Sequence, residues 1–163
     1  MPVMLNDDQV RAEVQDADSP LYATYQAAIA AGSSAMICEA INARTGPGAD
    51  LIARVQVPTT DTAVRSMLTY AWKQVRVSTD ATLKQDYNTL ITLINGAGVI
   101  DTGDPNVVAA MLQAKTDQVI NDTVLGPVLQ RLGSRAEVLA GAGGDGTVVP
   151  IDQADRVLAV LSS

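Results

Sequence analysis

With 163 residues, 47% of them hydrophobic, the chain has enough apolar material for a core and reads as a single helical domain over 1–163. Its net charge of −7 and pI near 4.3 exclude the basic face that nucleic acid or an anionic membrane surface requires. Histidine is absent, cysteine occurs once, and Glu and Lys occur three times each, so the usual carriers of acid–base or nucleophilic chemistry near neutral pH are nearly missing.

Aromatic residues make up only 3%, so Ala, Val, Leu and Ile must carry the packing. Fifteen of the eighteen acidic residues are Asp, a good N-cap and a mediocre helix-interior residue, which points to many short helices. Asn6-Asp7-Asp8 predicts a helix start, with Val10 and Val14 as its apolar stripe. Ser19-Pro20 predicts a second start, followed by Leu21, Tyr22, Tyr25, Ala28 and Ile29 at helical spacing and stopped at Gly32. Ser33-Ser34 opens a third helix, through Ile37 and Ile41 to about Arg44, before the break at Thr45-Gly46-Pro47-Gly48. Residues 54–59 and 74–79 both alternate, and Asp61 caps a helix between them. The two runs read either as a two-stranded ribbon flanking that helix or as irregular approaches to neighbouring helices.

The clearest helix is 79–95, with Leu83, Tyr87, Leu90, Ile91 and Ile94 on one face. It is expected to form the centre of the fold, packed on the 105–125 helices and on the helix ending near Arg44. Asp104-Pro105 starts the next helical pattern, which Gly126-Pro127 kinks or restarts. Ser134-Arg135-Ala136-Glu137 is a capping box, 141–146 is a Gly-rich loop, and Asp152 caps a last helix carrying Ala154, Val157, Leu158 and Leu161. The fold class expected is all-α, an irregular bundle of seven to nine short helices with at most a small two-stranded β-ribbon.

No motif gathers the residues that chemistry needs. Gly141–Gly146 matches G-x-G-x-x-G in letters. A helix precedes it and an extended piece follows, the reverse of a dinucleotide-binding turn, and no Lys follows as a phosphate-binding loop requires. Asp101, Asp104 and Asn106 have the spacing of a calcium loop, but Leu112 stands where its closing acid belongs. Cys38 lies among Met36, Ile37 and Ile41 as a small hydrophobe, with no His to activate it or to complete a zinc site. Glu39 and Glu137 do not form an evident acid–base pair, since the capping box accounts for Glu137. The four Tyr and Trp72 lack the neighbouring Lys and Arg that base stacking would call for. No catalytic, cofactor-binding or metal-binding residue is therefore expected. No run approaches the length of a membrane span, and the N-terminal stretch lacks the basic and apolar regions of a secretory signal.

Two stretches carry a resemblance. Gln9-Val10-Arg11-Ala12-Glu13-Val14, Asp16 and Cys38-Glu39-Ala40-Ile41-Asn42-Ala43-Arg44 form one. Ser134-Arg135-Ala136-Glu137-Val138-Leu139, the Gly loop, Val148-Val149, Asp152 and Val157-Leu158 form the other. Together, over about half the chain, they resemble small helical virion proteins of tailed bacteriophages, of the head–tail (neck) and tail kinds. Residues 49–123 lie outside the resemblance. It implies a non-enzymatic structural protein of the virion, assembled in the bacterial host cytoplasm, most simply a head–tail connector or neck component forming an oligomeric ring. The implied partners are copies of itself and portal, neck, tail or capsid proteins. A tail or capsid accessory protein and a small acidic protein-binding module are the alternatives. An acidic wall that repels phosphates suits a ring through which DNA passes. The N-terminal segment 1–8 and the loops 46–61 and 141–150 are the expected contact elements, since exposed connections adapt most readily to partners.

Overall fold

Local sequence chemistry sets most helix boundaries in the computed structural model, which describes residues 2–163. In chain order these residues form α1 (Asp7–Gln15), α2 (Tyr22–Ala30), α3 (Ser34–Asn42), β1 (Asp50–Ala53), β2 (Gln56–Pro58), α4 (Thr62–Val77) and α5 (Ala81–Ala97). They continue with β3 (Val99–Asp101), α6 (Pro105–Thr116), α7 (Asp122–Leu129), β4 (Gln130–Gly133), α8 (Arg135–Ala140) and α9 (Ile151–Leu161). The protein is mostly helical, with nine helices among the described residues and two sheets of two strands each, β1 with β4 and β2 with β3. No helix of the described residues is long and apolar enough to cross a membrane.

Side-chain caps supply the orphan N–H groups of most helix starts. Asn6 and Gln9 close a capping box on α1, and Ser134 and Glu137 close the expected one on α8. Ser33, Asp61, Asp80, Asp104 and Asn121 cap α3, α4, α5, α6 and α7. Two expected starts shift. Ser19 forms the turn before α2, whose own cap, Leu21, has no side-chain bond to offer. Pro150, not Asp152, precedes α9, and Asp152 sits in the first turn, where it accepts from Arg156 one turn on.

The Cα packing gathers the chain, read above as one domain, into two compact units. One comprises residues up to Ala53 together with Leu132–Ser163, and the other Arg54–Arg131. In the first, α3 packs against α2, α8 and α9, and α1 against α2 and α9. Its core joins Val10, Val14, Tyr25, Ile37, Ile41, Ala136, Val149 and Val157, each at most 2% exposed. In the second, α4 packs on α5 and α7 around Val57, Val64, Met67, Leu68, Val75, Leu125 and Val128.

Two expectations in the second unit are corrected. The run 74–79 is not a strand. Val75 extends the buried stripe Val64, Met67, Leu68, Ala71 at helical spacing, and Val77 is 69% exposed, so α4 absorbs the run. The ribbon partner of 56–58 is instead 99–101, antiparallel, with Val57 opposite Ile100. Helix 79–95 exists as α5 but is not the centre of the fold. None of its side chains is buried, and α3 belongs to the other unit's core. The 105–125 helices are found as α6 and α7. Gln118, at φ 61, turns the chain between them, and Pro127 sits within α7 without breaking it. Pro127 forgoes the backbone bond to the Thr123 carbonyl one turn back, and α7 ends two residues later at Leu129.

Candidate interaction surface

Two of the three expected contact elements meet in the first unit. The Thr147 hydroxyl donates to the Val3 carbonyl at 2.5 Å, and the buried Gln153 side chain donates to the Leu5 carbonyl at 2.8 Å. The segment 2–8 therefore lies against the 141–150 loop and α9. Leu5, Thr147 and Val149 turn inward, while Val3, Met4, Val148 and Ile151 stay 42–64% exposed. Four large apolar side chains thus stand in water on two segments held together, the kind of surface that packs against another protein. The third element, 46–61, contains the short strands β1 and β2. Its exposed apolar member in the first unit is Leu51, at 62%.

The 141–150 loop is held rather than free. The Val149 backbone N–H donates to Asn42 Oδ1 at 2.9 Å, and Asn42 Nδ2 returns a bond to the Val149 carbonyl at 2.8 Å. The Cys38 thiol donates to that carbonyl at 3.2 Å. Cys38 is half-buried, so the expected small-hydrophobe role is joined by a polar one. Gly146 N–H donates to Glu137 Oε1 at 2.8 Å, which ties the loop to the first turn of α8.

Glu137 is the hub of this region. Only 1% exposed, it accepts from the Ser134 and Gly146 backbone N–H groups, each at 2.8 Å, and from Arg44 Nη2 at 2.8 Å. The arginine closing the Asn-Ala-Arg sequence thereby reaches the capping glutamate 93 residues away. Glu13 has a parallel arrangement. Arg135 grips it with Nε at 2.8 Å and Nη2 at 3.0 Å, and the Ser19 and Tyr25 hydroxyls donate to it at 2.5 and 3.4 Å. Burial and the adjacent Glu13 charge push the Tyr25 phenol far above its ordinary value, so it stays a neutral donor. Donors to both buried glutamates fasten α1, α8 and the chain just after α3 together, and Glu13 with its partner Arg135 also lines an open hollow beside Asp16. Glu39 is exposed on α3.

The remaining sequence candidates have local explanations. Asp104 caps α6 by accepting from the Asn106 N–H at 2.8 Å, and Asp101 accepts from the Gly103 N–H at 3.0 Å. Among the described residues no group of three His, Cys, Asp or Glu converges as metal ligands would. Trp72 is 46% exposed with the Arg76 guanidinium 4.8 Å over its ring. Sequence reasoning missed the Glu13–Arg135 and Arg44–Glu137 pairs, because partners separated by about a hundred residues leave no local spacing to read. Compared with family models, with curated proteins and with solved structures, the chain matches none of them.

Proposed function

We propose that this protein is a non-enzymatic structural component of a tailed-bacteriophage virion, most simply a head–tail connector or neck protein that assembles with copies of itself into a ring. The reading rests on the resemblance of residues 9–44 and 134–158 to such proteins, on an acidic chain of short helices, and on one structural observation. The N-terminal segment stands beside the 141–150 loop and the start of α9, and together they present Val3, Met4, Val148 and Ile151 to solvent. The mechanism is geometric fit, in which these side chains bury against the next copy or an adjoining virion protein while Glu137 and Asn42 hold the loop in one shape. The job needs neither cofactor nor metal, and the net charge of −7 keeps DNA from adhering to a ring that surrounds it. The test is the mass of the purified full-length chain by analytical ultracentrifugation, with its detection in purified particles. A discrete oligomer, weakened at least tenfold by the double substitution Met4→Asp/Val148→Asp with helicity unchanged, is the expected result. A monomer at all concentrations that is absent from particles overturns the reading.

A further inference from the structure

The second unit contains a partly open apolar cavity of about 180 Å³ lined by α4, α5, α6, Ile100 of β3 and the segment 119–120. Its wall owes its shape to a pattern in the sequence. Ala71 on α4 and Ala114 on α6 are both buried and both line the space, where longer side chains would fill it. Across from them, the apolar stripe of α5, including Tyr87, Ile91 and Ile94, lines the cavity but remains half-buried. An amphipathic helix of 17 residues ordinarily seals its stripe completely, and α5 buries no side chain fully. Native interiors tolerate few voids larger than one water molecule, so a hollow of this size beneath a half-covered helix has room for a guest.

The chemistry of the wall selects that occupant. Every lining residue is apolar except Tyr87, and the Tyr87 hydroxyl already donates to Asp117 Oδ2 at 2.5 Å. Water held inside a protein needs two to four polar partners, and this wall does not supply them. A charged or strongly polar molecule would lose its hydration without compensation. The volume is close to the roughly 150 Å³ of an apolar cavity that accommodates benzene. Met67 on α4 and Met111 on α6 also line the space and supply flexible thioethers that adjust to an irregular guest.

We propose that this cavity is a binding site for one small, uncharged, hydrocarbon-like molecule, about the size of a single six-membered ring with a short alkyl substituent, admitted beside α5. The site lies within the second unit and uses none of the residues assigned to assembly, so the two readings stand or fall separately.

Toluene is the probe, titrated into the full chain carrying ¹³C-methyl methionine, with benzoate as the charged control. The expected result is a saturable shift of the Met67 and Met111 methyl signals with toluene, little change at Met4 or Met36, and no shift with benzoate. Ala114→Leu fills the cavity, and the shifts should vanish in that variant while its far-ultraviolet spectrum stays native. If Ala114→Leu does not fold, Ala71→Val takes its place. Absence of a saturable shift in the unsubstituted chain overturns the proposal. So does an equal response to benzoate, or an undiminished response in a folded, filled variant.

Discussion

Glu137 shows how one side chain links a local signal to a distant one. As the third residue of the α8 capping box it satisfies the Ser134 N–H, a role legible from Ser134-Arg135-Ala136-Glu137 alone. Its other bonds, to Arg44 and Gly146, depend on the fold. Glu137→Gln turns an amide N–H₂ toward one of these donors and removes the charge that Arg44 meets, which should cost about 3 kcal/mol in urea unfolding. Ser134→Ala removes one cap acceptor and should cost about 1 kcal/mol. Asp61 makes the corresponding prediction for pH. Hydrogen bonding from Arg54 first, then from the Ala63 and Val64 backbone, holds its carboxyl below the ordinary 3.8, against the opposing effect of burial. A depressed folded-state value means that ionised Asp61 stabilises the fold above its unfolded pKa, and that this contribution disappears as pH falls through the folded value. Stability measured by denaturant titration should therefore decline below about pH 4. Asp61→Asn should flatten that decline while lowering stability at neutral pH.

At the scale of elements, α4 and α5 show why short alternating patterns mislead. The sequence Gln74-Val75-Arg76-Val77 fits a strand of period two and equally the end of a helix whose stripe began at Val64. Burial decides between them. Val75 is 1% exposed and Val77 is 69% exposed, although a strand would place both on one face. Val75→Lys should accordingly cost at least about 3 kcal/mol by leaving a cation unpaired in the core. Val77→Lys, in the last turn of α4, should change stability by no more than about 0.5 kcal/mol. Thermal unfolding of the two variants distinguishes helix from strand directly. The stripe of α5 was equally plain in the sequence, but amphipathicity reports that a helix has an apolar face. It does not report how completely that face is covered, and here α5 lies over a cavity instead of at the centre of a core.

At the scale of the molecule, the chain builds two cores. Residues up to Ala53 and from Leu132 share one, and Arg54–Arg131 form the other, so the first unit is completed only after the second has been threaded through the sequence. Nothing in composition marks these crossings, since neither Ala53-Arg54 nor Arg131-Leu132 is a Gly- or Pro-rich linker. The acidity, by contrast, acts on the whole molecule regardless of fold. Copies that each carry −7 repel one another, and salt screens that repulsion over about 10 Å at 0.1 M. The self-association proposed for the Val3–Met4 and Val148–Ile151 surface should therefore strengthen, by about tenfold or more, between 20 and 300 mM salt in sedimentation experiments. Association driven by charge pairing would weaken over the same range.

The sequence by itself determined the helical majority, most helix starts, the aliphatic core and the scarcity of chemically reactive side chains. These are properties of neighbours within one or two turns, where caps, stripes and proline act. Tertiary structure alone decided that 56–58 pairs with 99–101, that the core is divided in two, that Arg44 and Arg135 find buried glutamates, and that α5 lies over a void. Each of these depends on surfaces brought together from distant parts of the chain, and the free energy of burial depends on the area two surfaces share, a quantity that residue spacing does not encode.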